Sequence, residues 1–179
     1  MKRQFAVLAM CTLAGVALAK DEAQPFPRDE SGHARFQDVV QVEGVSAADL
    51  YSRAKFWAAK AFVSAKNVIQ LDDPASGRLV LKGSLQESYG GLAEGVWFHF
   101  TLTVEVKDGR YRWTLDQFEY SPKGVGGWPI ETELTKEGVG VFGRKAVFER
   151  FRKDLLALAS HLQAAMVSPP SETGKTDKW

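Results

Sequence analysis

The segment from Val96 to Val106 constrains the fold of this chain most strongly. Aliphatic or phenyl side chains occupy its even positions, and polar or amphipathic side chains occupy its odd positions. This repeat is typical of a β-strand that buries one face. Asp108-Gly109 follows, and both residues tolerate the positive φ angles of a tight turn. The sequence therefore predicts an antiparallel hairpin in which 110–120 returns beside 96–106.

A two-residue turn also predicts the register of this hairpin. Three pairs lie on the buried face: Val106 with Tyr111, Val104 with Trp113 and Leu102 with Leu115. On the opposite face Glu105 and Arg112 are expected to form an ion pair across the strands.

The far end of the hairpin leaves two registers open. Continued without a slip, the ladder turns Phe118 and Tyr120 outward and turns Gln117 and Glu119 toward the core. A bulge near Asp116 would return both rings to the core. We favour the bulge, because a buried carboxylate without a partner is costly.

Helix and strand patterns on either side of the hairpin complete an α+β domain. Ser46 can cap a helix together with Asp49, and apolar residues repeat at helical spacing from Leu50 to Ala61. A last helix is marked by Phe148, Phe151, Leu155, Leu158 and Leu162. Further strands are predicted at 36–42, 67–73 and 78–87. A Gly-rich connection at 121–140 carries Trp128 and is either a lid or a packed loop.

The first nineteen residues have the pattern of a secretory signal peptide. Met1-Lys2-Arg3 is cationic, the run from Phe5 to Val16 is apolar, and Ala17-Leu18-Ala19 offers the small residues that a signal peptidase requires. The apolar run is too short to span a bilayer. A lipobox ending at Cys11 would anchor the chain to lipid, but Met10 is a poor residue before that cut. We therefore expect cleavage after Ala19 and export to the periplasm or beyond.

Charge and cysteine content narrow the chemistry of the mature chain. The full chain has 23 Lys and Arg residues against 22 Asp and Glu residues. Removal of Lys2 and Arg3 with the signal leaves 21 against 22, so no net charge draws the domain to nucleic acid or anionic lipid. Cys11 is the single cysteine, so the mature protein has no thiol for a disulfide, a metal or catalysis. We expect no cofactor, no nucleic-acid partner and no membrane span in the mature chain.

Composition divides the mature chain into three parts. Residues 20–34 are polar and contain Pro25 and Pro27, which predicts a flexible linker. Residues 35–167 hold the periodic segments and are predicted to form a single α+β domain. Residues 168–179 begin with Ser168-Pro169-Pro170 and are predicted to be a disordered tail.

Several segments of the predicted domain resemble those of one known family. They are Val42 to Ser46, Leu50 to Trp57, Val68 to Asp73, Gly77, Lys82-Gly83 and Val106 to Arg112. The chain resembles, over roughly 39–162, the exported bacterial family called domain of unknown function 4468. The resemblance implies a fold like that of TATA-box-binding protein: an antiparallel sheet in the order strand, helix, four strands, helix, with the helices packed on one face. It implies no activity and no DNA binding, because fold alone does not determine function.

Two patterns match ligand-binding motifs only in part. Gly138 to Gly143 reads G-x-G-x-x-G, but no convincing buried strand precedes it, so glycine hinges entering a helix explain it better than dinucleotide binding. His33, His99 and His161 are the only histidines, and no two of them have the spacing of metal ligands. We expect no metal site.

Two further patterns contain residue types that are used in catalysis, but the sequence does not place them in a catalytic arrangement. Asp72-Asp73 places its carboxylates on opposite faces of a strand, and Pro74 follows at once, so a turn-forming role fits better than catalysis. Ser84 and Ser88 offer hydroxyl groups, but nothing in the sequence places a base beside either. No catalytic residue is assigned from the sequence.

The candidate functional surface is the sheet face opposite the helices. Its predicted members are Trp97, His99, Lys82 and Arg112, and Trp128 in the Gly-rich connection is added to them. A polar sheet face can simply be solvated, but aromatic and arginine side chains also give contact area to a peptide, a glycan or an envelope protein. We therefore predict an exported, non-catalytic binding or interaction module. The alternatives are an envelope hydrolase with a site under 121–140 and a structural domain that self-associates by a strand edge.

Overall fold

A computed structural model describes residues 26–88, 95–122, 126–134 and 144–168. The elements in chain order are β1 (Phe36–Gln41), α1 (Ala47–Ala61), α2 (Ala65–Val68), β2 (Ile69–Asp73), β3 (Arg78–Ser88), β4 (Gly95–Lys107), β5 (Arg110–Pro122), β6 (Trp128–Pro129), α3 (Ile130–Leu134) and α4 (Arg144–Val167). The α+β class is confirmed. The strand predicted at 67–73 begins at Ile69, because a short helix occupies its first residues. The predicted signal peptide, residues 20–25 of the predicted linker, residues 169–179 of the predicted tail and the motif at 138–143 lie outside the described residues.

One antiparallel sheet forms the body of the domain, in the order β1-β5-β4-β3-β2. The outer edge of β5 has two neighbours, which are β1 along 110–115 and β6 at Glu119 and Tyr120. Helices α1 and α4 pack on one face of the sheet and contact each other. The other face, called the open face, carries the odd-numbered residues of β4 and has none of the described helices over it.

Helix α1 begins where the sequence predicts it. The Ser46 hydroxyl accepts a hydrogen bond from the Asp49 amide at 3.1 Å and donates one to the Asp49 carboxylate at 2.8 Å. This cap satisfies an amide that the helix itself leaves without a partner. The side of α1 that faces the sheet then buries Leu50, Ala54 and Trp57.

An aromatic cluster fills the core between the sheet and α4. Phe98 of β4 stacks on Phe151 of α4, with 4.2 Å between the ring centroids and 11° between the ring planes. Tyr120 of β5 lies nearly parallel to Phe148 of α4, at 5.9 Å. Such ring pairs add about 0.5–1.5 kcal/mol each to the energy of burial. Ring contacts therefore help to hold α4 on the sheet.

The hairpin has the predicted register near the turn and the predicted bulge farther along. Phe100 of β4 faces two residues of β5, Gln117 and Phe118, because the pairing shifts by one residue there. Gln117 takes up the extra residue with a φ of 51°. Phe118 and Tyr120 consequently lie in the core, at 2% and 8% exposure.

The segment 26–34 corrects the prediction of a flexible linker. Phe26 is 0% exposed, and its ring packs against those of Phe118 and Phe151. The amide of Ala34 donates to the Glu131 carboxylate at 2.7 Å. A single phenylalanine between two prolines has no periodicity to reveal its burial. These residues are therefore packed as part of the domain.

Candidate functional site

A cleft of about 340 Å³ lies on the open face beside the bulge. This bulge cleft is lined by Lys82, Gly83 and Ser84 of β3, by His99, Phe100 and Thr101 of β4, and by Gln117 and Glu119 of β5. Lys82 and His99, two of the residues predicted from the sequence, are thus brought together. Small-molecule sites have volumes from about 300 Å³ upward, so the cleft is large enough for a small ligand.

Strand pairing places three chemically different side chains in one row across the cleft. Ser84 lies opposite His99, and His99 lies opposite Glu119. Directly opposed residues of antiparallel strands have Cβ atoms about 4.5–5.5 Å apart. A hydroxyl, an imidazole and a carboxylate are therefore neighbours on one face.

The bulge turns two polar residues toward this cleft. Gln117 has the left-handed backbone that non-glycine residues adopt only where their surroundings hold them. Here the Thr101 hydroxyl donates to the Gln117 side-chain oxygen at 3.0 Å. The amide nitrogen of Gln117 is left as a donor for a ligand. Without the bulge, Gln117 and Glu119 would face the core.

Four side chains of the cleft have no polar partner within the described part of the protein. They are Lys82, Ser84, His99 and Glu119. Each of them exposes a group that forms strong hydrogen bonds, and water satisfies these groups in the free protein. The cleft therefore keeps its hydrogen-bonding capacity available to a ligand.

Asp116 lies opposite Thr101 at the edge of the cleft, and its carboxylate forms an ion pair with Arg35. Burial raises the pKa of Asp116, while the Arg35 guanidinium, 3.4 Å away, acts to lower it. Because Arg35 holds this carboxylate, Glu119 is the acidic side chain that lines the cleft. Within the described ranges no three His, Asp or Glu side chains lie close enough to share a metal ion.

Arg112, another predicted member of the surface, lies near the hairpin turn. Its Nε donates to the Glu105 carboxylate at 2.9 Å, as the predicted register requires. It lines a separate hollow of about 310 Å³ with Lys107, Arg110 and the exposed Val39. Arg112 is therefore apart from the bulge cleft and already has an ionic partner.

The two predicted tryptophans lie on opposite sides of the sheet. Trp97 is half-buried on the open face, two residues before His99 on the same strand, and it lies next to the cleft without being part of the lining. Trp128 lies on the helix side, where its ring centroid is 5.4 Å from that of Tyr120. Its Nε1 donates to the Glu133 carboxylate at 2.8 Å. The structure therefore separates Trp128 from the other predicted members.

Sequence reasoning missed three residues of the cleft. It singled out Ser84 only as an isolated hydroxyl, and it did not assign Gln117 or Glu119 to the surface. Their signal lies in the bulge, because an alternation that restarts at Phe118 places Glu119 on the open face beside His99. A bulge inferred from the needs of the core thus also predicts the acidic side of the cleft.

The architecture defines the class of the protein. An antiparallel sheet in this order, with helices α1 and α4 on one face, is an α+β domain with a TBP-like fold. Residues 36–121 match the family described as domain of unknown function (DUF4468) with TBP-like fold. This match confirms the resemblance predicted from the sequence.

Two solved bacterial structures are similar to the whole domain. A DUF4468 family protein from Bacteroides ovatus is 19% identical and has a TM-score of 0.60, with 83% of this chain and 94% of the other covered. A TBP-like protein from Parabacteroides distasonis is 14% identical with a TM-score of 0.60, over 78% of this chain and 98% of the other. At these identities the likeness shows the fold alone. No curated protein matches the sequence. Among the described helices, none has the length and apolar character needed to cross a membrane.

Proposed function

We propose that this protein is an exported, non-catalytic binding module of the bacterial envelope and that the bulge cleft on its open face holds the ligand or partner. The observation that carries the proposal is the set of cleft side chains without internal partners. Lys82, Ser84, His99 and Glu119 line one concave surface and have no polar partner among the described residues. The predicted signal peptide supports a location outside the cytoplasm.

The concave shape of the bulge cleft and its mixture of polar groups distinguish it from a sheet face that is only solvated. A solvated face needs polar residues but no concavity. Sites for small ligands are concave and carry a few convergent polar groups. Here an ammonium, a hydroxyl, an imidazole and a carboxylate line one cleft, and Trp97 at its edge supplies aromatic surface of the kind enriched in interfaces.

The test compares two double variants of the protein purified gently from its own host. Trp97→Ala with His99→Ala changes the open face, and Phe56→Ala with Lys60→Ala is the matched control on the exposed side of α1. Native mass spectrometry should find extra mass on the wild type and on the control, and less on the open-face variant. Far-UV circular dichroism checks that both variants fold. Unchanged capture by a folded open-face variant would rule out this surface.

A hydrolase is the second candidate, and the row of Ser84, His99 and Glu119 favours it. In such a reaction the Ser84 hydroxyl adds to an ester carbonyl, His99 takes the hydroxyl proton, and Glu119 orients the imidazole. The acyl group passes to the serine oxygen, His99 protonates the leaving alcohol, and water then releases the acid. No hydrogen bond joins Ser84 to His99 or His99 to Glu119 in the free protein, and the backbone amides of these strands are largely used in the sheet ladders. Alignment of the three side chains and stabilisation of the oxyanion are therefore the weak points of this candidate.

A fluorophosphonate probe separates the two candidates. It adds covalently to an activated serine hydroxyl, and the adduct is seen in the intact mass. The binding module predicts no adduct. An adduct that forms on the wild type and disappears in Ser84→Ala would instead support the hydrolase and place its site on the open face, not under 121–140.

A further inference from the structure

We propose that the bulge cleft binds a short neutral saccharide. The inference rests on the proposed binding function and adds the chemical class of the ligand. Lys82 lies opposite Thr101, and Glu119 lies opposite His99, so the ammonium and the carboxylate occupy different strands and different rows of the cleft. The formal charge of the lining is zero with histidine neutral. A polyanion would be attracted by the ammonium of Lys82 and repelled by the carboxylate of Glu119. A neutral ligand experiences neither a net attraction nor a repulsion between like charges.

The polar groups of the cleft are a mixture of donors and acceptors. The ammonium of Lys82 and the amide nitrogen of Gln117 donate, the carboxylate of Glu119 accepts, and the hydroxyl of Ser84 and the imidazole of His99 can do both. A sugar hydroxyl also donates and accepts, so neighbouring hydroxyls on one ring can satisfy such a mixture. A ligand with acceptors alone, such as sulfate, would leave the carboxylate unmatched.

A peptide main chain fits this surface less well than a saccharide does. Extended peptides join a sheet through main-chain hydrogen bonds at a strand edge. The bulge cleft lies over β3, β4 and β5, where main-chain groups largely pair between strands and only the short stretch 116–118 lacks a paired neighbour on its outer side. Recognition in the cleft therefore relies mainly on side-chain groups.

Trp97, which lies next to the cleft on β4, offers apolar surface to a ligand that extends past the cleft lining. Its half-buried indole stands on the open face beside the row that contains His99. The C–H groups of one sugar face can pack on such a ring while hydroxyls at the sugar edge reach the polar row, and burial of an aromatic face is favourable. The volume of about 340 Å³ is near the lower limit for ligand pockets, which favours a short saccharide.

The experiment is an amide NMR titration of the processed protein with three neutral trisaccharides: maltotriose, cellotriose and tri-N-acetylchitotriose. At millimolar concentration, at least one should shift the amide signals around Ser84, His99 and Glu119. Trp97→Ala and Glu119→Gln should each weaken that binding about tenfold. Phe56→Ala, which removes an exposed ring from α1, should leave the affinity unchanged.

Trigalacturonate, an anionic trisaccharide of similar size, tests the charge argument. Tighter binding of trigalacturonate than of every neutral sugar would overturn the neutral class, and the absence of shifts at the cleft with all three neutral sugars would overturn the saccharide. Suppose that either result is obtained and that the folded variant with Trp97→Ala and His99→Ala lacks the extra mass carried by the wild type. In that case only the proposed ligand class is wrong. If the folded double variant keeps that mass, the proposed binding function is wrong as well.

Discussion

The two faces of the sheet differ in how their side chains are satisfied. On the helix side, β4 contributes Phe98, Leu102 and Val104 to a core from which water is excluded. On the open face, the same strand presents Trp97 and His99, which are only half-buried. Burial of apolar area stabilises the fold on the first face, whereas polar groups on the second remain in water. Substitutions on the open face can therefore test binding without unfolding the domain.

The bulge is the place where the two faces depend on each other. One extra residue in β5 returns Phe118 to the core and, in the same step, turns Gln117 and Glu119 to the open face. A change that removed the bulge would disturb ring packing and the cleft together. Substitutions away from the bulge therefore test one face of the sheet at a time.

The largest effect is expected from Phe26, because it tests how far the core extends. Phe26→Ala should lower the free energy of unfolding by about 3–5 kcal/mol, since it leaves a cavity among buried rings. The matched control is Phe56→Ala on α1, where the ring is 47% exposed and should cost about 1 kcal/mol or less. Urea denaturation measures both. Equal small losses would contradict the inclusion of 26–34 in the domain.

Gly83→Ala should have the next largest effect, because Gly83 has no side chain and the ring of Phe100 packs closely against its backbone. A Cβ atom built there would lie 2.4 Å from the ring of Phe100. We expect a loss of about 1–3 kcal/mol in the free energy of unfolding. Ser84→Ala, one residue on and exposed on the open face, should change it by about 0.5 kcal/mol or less. Similar values for the two variants would contradict the tight contact.

Tyr51→Phe should remove about 1–2 kcal/mol at neutral pH by deleting one hydrogen bond to a carboxylate. The Tyr51 hydroxyl donates to Asp72 at 2.6 Å, and the Lys55 ammonium lies 2.8 Å from the other oxygen. The hydrogen bond from Lys55 first, and then that from Tyr51, lowers the pKa of Asp72.

The same variant carries a prediction about pH. Because the pKa of Asp72 is lower in the folded state, its contribution to stability is complete above the unfolded value of about 3.9 and is lost as the pH falls through the folded value. The stability difference between wild type and Tyr51→Phe should therefore shrink in acid. Denaturation at neutral pH and at about pH 3 measures this, and an equal difference at both would contradict it.

The smallest effect is expected from the ion pair of Glu105 and Arg112 on the open face. Both side chains are partly exposed to water, so a double-mutant cycle should give a coupling energy of about 0.2–1 kcal/mol. Added salt should reduce it, because exposed charges are screened. A coupling that is large and independent of salt would mean that this face is less solvated than its exposure indicates.

Much of the fold could be predicted because its decisive signals are local. The alternation in 96–106 and the turn at Asp108-Gly109 determine which residues face one another. Ser46 determines the start of α1 because a cap acts within one turn of helix. The bulge could also be predicted from neighbouring residues. Without it, Phe118 and Tyr120 would face outward and Glu119 would face the core.

The candidate site could be predicted only in part. Lys82, His99 and Trp97 were found because alternation assigns a face, and the structure leaves them on that face. Ser84 was considered only as an isolated hydroxyl, although alternation places it on the same face as Lys82. Glu119 was missed because its face depends on the bulge. Trp128 was added from its place in the connection, but pairing of β6 with β5 carries it to the helix side.

The sequence by itself determined which side chains share a face, because the repeat of a strand or helix is a property of the local backbone. Only the tertiary structure decided which of these side chains share a cleft, and that Phe26 belongs to the core. Strand pairing and ring packing join residues that the chain keeps apart, and the free energy of those contacts depends on neighbours that no local pattern records.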